Sequence, residues 1–401
     1  MNQVIKKRIE DINNGIVPEG YKQTPFGIFP CDWETKYLDD ICVMQGGGTP
    51  NTKKQYYWEG DIPWISSSNL NEDDFYNVNI TRYITQEAVE KSATKICPSN
   101  SIAVVTRVGV GKVALIDRQY CTSQDFTNII DTKCSTLYLL YQLKSAINRK
   151  LEECQGTSIK GITTKELQKL QINIPKKEIE QSKIAEILMK WDEMVELQEQ
   201  YIQKLELRKK SIMKKLLTPK DGWKCVRFEN TCKKFAYSKE LQTNQYQVSG
   251  GYPVVDQGKN YIVAFTDEED YIINNNCEGL LLFGDHTTEV KYLDFCFAVG
   301  GDGVKLFQKN GLYDLKFIYY SLLNTPFMIE GYKRHSNILR KKGIFVPFKN
   351  GELDIQEQNR IVDILTKLDK EISLQKEKLE KIKIQRKAMQ QYLLTGIIRV
   401  L

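Results

Sequence analysis

Residues 180–218 read EQSKIAEILMKWDEMVELQEQYIQKLELRKKSIMKKLLT, and residues 357–395 read EQNRIVDILTKLDKEISLQKEKLEKIKIQRKAMQQYLLT. At a constant offset of 177 they align without a gap. Glu180/Glu357, Gln181/Gln358, Ile184/Ile361, Leu188/Leu365, Asp192/Asp369, Gln198/Gln375 and the closing Leu216-Leu217-Thr218/Leu393-Leu394-Thr395 are identical. A register held over 39 residues marks an internal repeat, and that repeat decides how the chain is organised.

Each copy spaces its apolar residues alternately four and three apart, the seam of a coiled coil. The first seam is Ile184, Leu188, Trp191, Val195, Gln198, Ile202, Leu205, Lys209, Ile212 and Leu216. The second is Ile361, Leu365, Leu368, Ile372, Gln375, Leu379, Ile382, Arg386, Met389 and Leu393. Both polar interruptions fall at matching positions. A buried amide in a seam lowers stability while restricting register, so Gln198 and Gln375 predict a specified pairing. Neither copy contains Gly or Pro before Pro219 and Gly396, so each reads as one helix, about 58 Å long at 1.5 Å per residue. One apolar stripe cannot stay exposed over that length, and the nearest complementary stripe is its own repeat.

Working outward, Trp33, Leu38 and Cys42 are spaced as are Trp223, Phe228 and Cys232. Between each Trp and its helix, stretches rich in Gly, Asn, Ser and Thr enclose β-like runs at 101–106, 113–116, 261–265 and 279–283, with helical patterns at 135–154 and 315–332. The expected fold class is α/β (α+β). Its parts are an N-terminal arm (1–30), a globular domain (31–179), a helix (180–218), a second globular domain (219–356) and a second helix with its tail (357–401).

The 401 residues suffice for two or three domains. No apolar run approaches the roughly 20 residues of a membrane helix, and residues 1–15 lack the apolar stretch of a signal peptide, so a cytoplasmic location is expected. The ten Cys contain no Cys-x-x-Cys pair, which removes zinc ribbons and thioredoxin-type motifs and leaves reduced, buried thiols.

At this point the chain resembles a type I restriction-modification specificity subunit. The residues that carry the resemblance in the first half are 60–65 (GDIPWI), 107–113 (RVGVGKV), 156–162 (GTSIKGI) and 172–175 (INIP), followed by Gln181 and 184–188 (IAEIL). In the second half they are 252–258 (YPVVDQG), 283–287 (FGDHT) and 301–305 (GDGVK), followed by Gln358, 361–365 (IVDIL) and 393–396 (LLTG). The resemblance implies two target-recognition domains, each reading one half of a split, asymmetric DNA site. It also implies that two antiparallel coiled-coil helices set the unread spacer and dock methyltransferase subunits, expected to number two. S-adenosylmethionine, ATP and Mg²⁺ would then belong to those partners and to restriction/translocase subunits, with no cofactor or metal and no catalytic residue in this chain.

Catalytic patterns are poorly represented. Residues 109–113 (GVGKV) miss a phosphate loop, because its first Gly would fall on Thr106 and Val113 follows Lys112. No Asn-Pro-Pro-Tyr or Asp-Pro-Pro-Tyr string orients an amino-group acceptor. Asp285, Glu289 and Lys291 mimic a nuclease metal site at unusually tight spacing. Two rival readings stay open: a self-contained site-specific DNA nuclease or methyltransferase, and a coiled-coil scaffold with no DNA role.

Binding chemistry is better represented. Reading double-stranded DNA needs Arg or Lys for guanine, Asn or Gln for adenine, and hydroxyls and cations for phosphates. Candidates in the first half are Lys53, Lys54 and Tyr56; Ser66, Ser67, Ser68 and Asn69; Thr106 and Arg107; Gln124; and Thr157, Ser158 and Lys160. In the second half they are Tyr252, Gln257 and Lys259; His286, Thr287 and Thr288; and Lys333, Arg334, His335, Asn337, Arg340 and Lys341. The net charge of +6 does not sit on these domains. Residues 31–179 hold 18 basic and 18 acidic groups and residues 219–356 hold 17 of each, so the chain alone is expected to bind DNA weakly.

Overall fold

A computed structural model of the chain describes residues 3–24, 27–72, 74–153, 161–274, 279–325, 327 and 334–400. They form two units, Met1–Glu196 with Glu380–Leu401, and Leu197–Leu379. The fold is α/β with two long helices, as the sequence predicts.

In the first unit Trp33–Tyr37 pairs antiparallel with Gln171–Pro175, Trp33 opposite Pro175. The one-turn helix Leu38–Ile41 leads into Cys42–Gly46, the edge of a four-stranded antiparallel sheet. Phe126–Thr132, Ser101–Val105 and Val113–Ile116 follow in that order. A smaller sheet holds Ile62–Ile65 between antiparallel Arg82–Ile84 and parallel Cys121–Thr122. Ser101–Val105 is buried along its whole length, because alternate side chains enter different cores. Ile102 and Val104 pack with Tyr138, Leu139 and Ile147 of the helix Thr136–Glu153, whereas Ala103 and Val105 pack with Ile65, Tyr120 and Phe126.

The second unit repeats this plan, with Ile272–Ile273 added to the smaller sheet and Glu352–Leu353 added beside the opening strand pair. Trp223–Arg227 pairs with Gly343–Lys349, Trp223 opposite Pro347, and the one-turn helix Phe228–Thr231 follows. The main sheet runs Cys232–Phe235, Val304–Lys309, Leu280–Gly284, Val290–Leu293, in the order of its counterpart. Tyr252–Val255 again makes the parallel pair, here with Phe297–Val299. Helix Leu315–Asn324 takes the place of Thr136–Glu153, and Ser336–Lys341 that of Thr164–Gln168. The duplication visible in sequence at the helices and domain starts therefore extends through the main sheets and the domain helices.

The helices Glu178–Leu217 and Ile355–Leu394 are 40 residues each and run antiparallel. In the first unit Asp192 meets Arg386 at 2.5 Å; in the second Gln198 Nε2 donates to Gln375 Oε1 at 3.0 Å. Ile184, Leu188, Ile202, Leu205, Ile361, Leu365, Ile372, Leu379 and Ile382 are buried, as is the amide of Gln198. Trp191, Val195, Leu368 and Gln375 are half-buried. The seam cations Lys209 and Arg386 are ion-paired and mostly buried, with Asp369 and Asp192 respectively.

Two element boundaries differ from expectation. The strand expected at 261–265 is Ala264–Thr266, with Tyr261 and Ile262 left exposed. The helix expected at 315–332 ends at Asn324, since Thr325 precedes a proline that disfavours helical backbone before it. In the first unit the N-terminal arm packs on the C-terminal tail: Arg8 Nη1 donates to the Ile397 carbonyl and Tyr21 Oη to that of Gly396, both at 2.7 Å. Gly396 has φ +70°, and a Cβ there would lie 2.6 Å from Pro30 Cγ, so only glycine fits.

Candidate nucleic-acid interface

In each unit the loops that carry candidate residues are tied together by backbone hydrogen bonds at the strand ends. Thr106 follows the buried strand Ser101–Val105 and takes the carbonyl of Asp125 through both its N–H and its hydroxyl, at 2.8 and 3.1 Å. The Thr106 carbonyl in turn accepts from Ile162 N–H at 2.7 Å. Asp285 repeats this after Leu280–Gly284: its N–H reaches the Gly303 carbonyl and its carbonyl accepts from His335 N–H, both at 2.8 Å. The strand flanking each cluster is fixed the same way, Ser123 N–H to Ile65 and Gly300 N–H to Val255. Two rims of equivalent construction result, one per unit.

Around the first rim, Lys112 Nζ donates to the carbonyls of Ser67 and Leu70, which ties the loop after Ile62–Ile65 to the one after Ser101–Val105. Ser66 and Asn69 close a capping box, and Asn69 Nδ2 donates to the Asn79 carbonyl at 2.6 Å. Asn69 and Thr106 are buried and point inward, so they shape the rim, while Ser66 and Ser67 are half-buried. Ser68, Arg107 and Gln124 are exposed on it. Lys53, Lys54 and Tyr56 lie on a separate loop, with Lys54 Nζ 4.8 Å from the Tyr57 ring centre and bonded to its hydroxyl. Thr157, Ser158 and Lys160 lie outside the described residues.

Around the second rim, Gln257 is an organiser. Its Nε2 donates to the Asp302 carbonyl, its Oε1 accepts from His286 N–H, and its carbonyl accepts from the Thr287 hydroxyl. Tyr252, His286, Thr287 and Thr288 are half-buried, and Lys259 is exposed. His335 is buried, its Nδ1 facing the Asp285 carbonyl at 3.0 Å, so its ring belongs to the scaffold. Arg334, Asn337, Arg340 and Lys341 are exposed, with Arg340 paired to Glu229 at 3.1 Å. Lys333 lies outside the described residues.

Two of the nuclease-like trio, Asp285 and Lys291, are engaged in holding loops. Asp285 Oδ1 accepts from Ser336 N–H at 2.8 Å, and Lys291 Nζ donates to the carbonyls of Asp256 and Asn260. Burial pulls the Lys291 ammonium below its ordinary pKa. Among the described residues no grouping of His, Cys, Asp and Glu is arranged to hold a metal ion.

Sequence reasoning named Gln181 and Gln358 as matched positions but missed that they seat each half on its long helix. Gln181 Oε1 accepts from Ser135 N–H at 2.9 Å and Gln358 Oε1 from Asp314 N–H at 3.0 Å, each at the start of its domain helix. Their identity within the repeat was the available signal.

Fold and rims define a duplicated protein, each of its two units carrying a loop platform of the same backbone construction. Residues 30–207 match the family model described as type I restriction modification DNA specificity domain. The chain is 36% identical over 184 residues to the type I restriction enzyme MjaIX specificity subunit of Methanocaldococcus jannaschii, a match covering 44% of this chain and 41% of that one. It thus spans less than half the length of that relative. A putative MjaX specificity subunit of the same organism is 25% identical across 95% of this chain and 97% of its own length. The solved type I restriction-modification S subunit of M. genitalium shares the fold with TM-score 0.56 at 16% identity, covering 90% of this chain and 96% of that one. These similarities agree with the resemblance to type I restriction-modification specificity subunits carried by the sequence motifs.

Proposed function

We propose that this chain supplies DNA sequence specificity to a type I restriction-modification complex, each globular half reading one half of a bipartite, asymmetric site. The observation that carries the reading is the pair of polar rims built to one backbone pattern, in a chain whose residues 30–207 match a DNA specificity domain. Exposed Arg107, Gln124, Arg334, Asn337, Arg340 and Lys341 offer the donors that base edges and phosphates accept. Inward-facing Asn69, Thr106 and His335 hold the loops that present them.

In this reading the antiparallel helices set the spacer and dock two methyltransferase subunits, and restriction/translocase subunits join them. S-adenosylmethionine, ATP and Mg²⁺ serve those partners, and this chain contributes no catalytic group. Among the described residues no helix is long and apolar enough to cross a membrane, in keeping with action on cytoplasmic DNA.

Sequencing methylated adenines in cells with and without the gene tests the proposal. Loss of one bipartite motif on deletion is expected, and an unchanged methylome would sink it. Purified chain that cuts or methylates DNA by itself would favour the self-contained enzyme instead.

A further inference from the structure

Away from the rims, the helices carry a second construction made twice. In the first unit Tyr141, on the domain helix Thr136–Glu153, donates to Asp192 Oδ2 at 2.5 Å, and Arg386 Nε donates to Asp192 Oδ1 at 2.5 Å. In the second unit Tyr320, on Leu315–Asn324, donates to Asp369 Oδ2 at 2.7 Å, and Lys209 donates to Asp369 Oδ1. Asp192 and Asp369 are identical positions of the repeat, and Lys209 and Arg386 are its matching seam cations. Each carboxylate therefore joins three elements: a domain helix, the long helix that carries it, and the antiparallel partner helix.

Gln181 and Gln358 pin the same domain helices at their first turns, 11 residues earlier along each long helix, or about 16 Å. The hydrophobic driving force between these helices is itself non-directional. Hydrogen bonds are directional, and those to a carboxylate are short, so one amide point and one carboxylate point on each domain helix together fix an angle.

We propose that Tyr141–Asp192–Arg386 and Tyr320–Asp369–Lys209 are positioning clusters that set the angle of each reading half on the helices. They thereby determine how strictly the distance between the two half-sites is enforced. The inference rests on the DNA-reading assignment made above. The clusters are of unequal stiffness. The first has a planar guanidinium, and Tyr76 Oη lies 2.9 Å from Tyr141 Oη as a further brace. The second has a flexible ammonium, with Thr366 Oγ1 a longer 3.4 Å from Tyr320 Oη. The second half is the looser reader.

The test uses the full chain assembled with its methyltransferase subunits and a series of duplexes carrying the native spacer or one base pair more or less. Asp192→Asn, Asp369→Asn, Tyr141→Phe and Tyr320→Phe should each raise methylation at the altered spacers, relative to the native one, by about fivefold, the factor one hydrogen bond supplies. Preference for bases within each half-site should stay as in the parent, which a general loss of fold would not allow. Lys209→Arg should lower off-spacing methylation below the parent. Should the Asn variants fail to assemble, the milder Phe variants decide. Phe variants that methylate the native site with an unchanged spacer profile would overturn the positioning role. A parent complex with no preference for any bipartite site would overturn the DNA-reading assignment itself, and this inference with it.

Discussion

The burial of Asp192 carries a cost. Burial raises its pKa above the ordinary carboxyl value, and Arg386 and Tyr141 offset only part of that rise. An acid with a raised folded pKa carries a desolvation cost at neutral pH that is relieved as pH falls through the raised value. Arg386→Ala, which leaves the carboxylate buried without its cation, should lower stability by about 3 kcal/mol at neutral pH. The loss should shrink on mild acidification as Asp192 takes up a proton, and denaturant midpoints at the two pH values check this; an undiminished loss in acid would refute it. Asp32 behaves oppositely. Hydrogen bonds from Arg399 hold its pKa below 3.8, so its contribution is present above that value and is lost as pH falls through the lowered one. The thiols make a further check. Burial pushes Cys42, Cys121 and Cys232 up to about 12 and Cys97 to about 11, whereas Cys31 and Cys225 are exposed. A neutral alkylating reagent should label Cys31 and Cys225 first and reach those four only on unfolding, read by peptide mass spectrometry. At this scale the sequence revealed one side of each key interaction. The pairs Asp192/Asp369 and Gln181/Gln358 stood out as identities, but Tyr141, Tyr320, Ser135 and Asp314 lie outside the aligned repeat, and nothing local links residues about 50 positions apart.

The long helices were the most legible elements, because a 4-3 apolar spacing is a property of the chain alone. Their pairing partner was legible too, since Gln198 and Gln375 interrupt the seam together. Those two amides should couple: Gln198→Leu alone strands Gln375 in a half-buried seam and should cost about 1–3 kcal/mol, while the double change to Leu should be near neutral or stabilising. Thermal midpoints of the two single variants and the double test it, and additive losses would exclude the amide pair as a unit. The strands were only partly legible. Runs such as Val113–Ile116 are apolar throughout and stand out, yet sheet order depends on pairings like Cys42–Gly46 with Phe126–Thr132, more than 80 residues apart, which no local pattern encodes. The rims were legible as residue types and not as orientations. Thr106 and His335 share the polar character of their exposed neighbours, and only the carbonyls of Asp125 and Asp285 turn them inward.

For the whole molecule, the proposed DNA-reading role makes the helices a ruler. Removing one heptad from each helix shortens the pair by about 10.5 Å, so the preferred spacer should fall by about three base pairs while both half-sites stay the same. Methylation of a spacer-length library measures this, and a fixed spacer preference would refute it. Charge works at the same scale. Both globular halves are electrically neutral, so under the proposed function a complex with partner subunits should bind DNA far more tightly, and with a steeper salt dependence, than the chain alone. The tethers beneath the rims carry one more consequence. Ile162 N–H to Thr106 and His335 N–H to Asp285 are bonds between main-chain atoms, indifferent to the side chains displayed beyond them. Mutations at exposed rim positions such as Arg107, Arg334 or Asn337 are therefore cheap in stability, and under the proposed DNA-reading role lineages of this chain can drift to new target sequences without first repairing the fold.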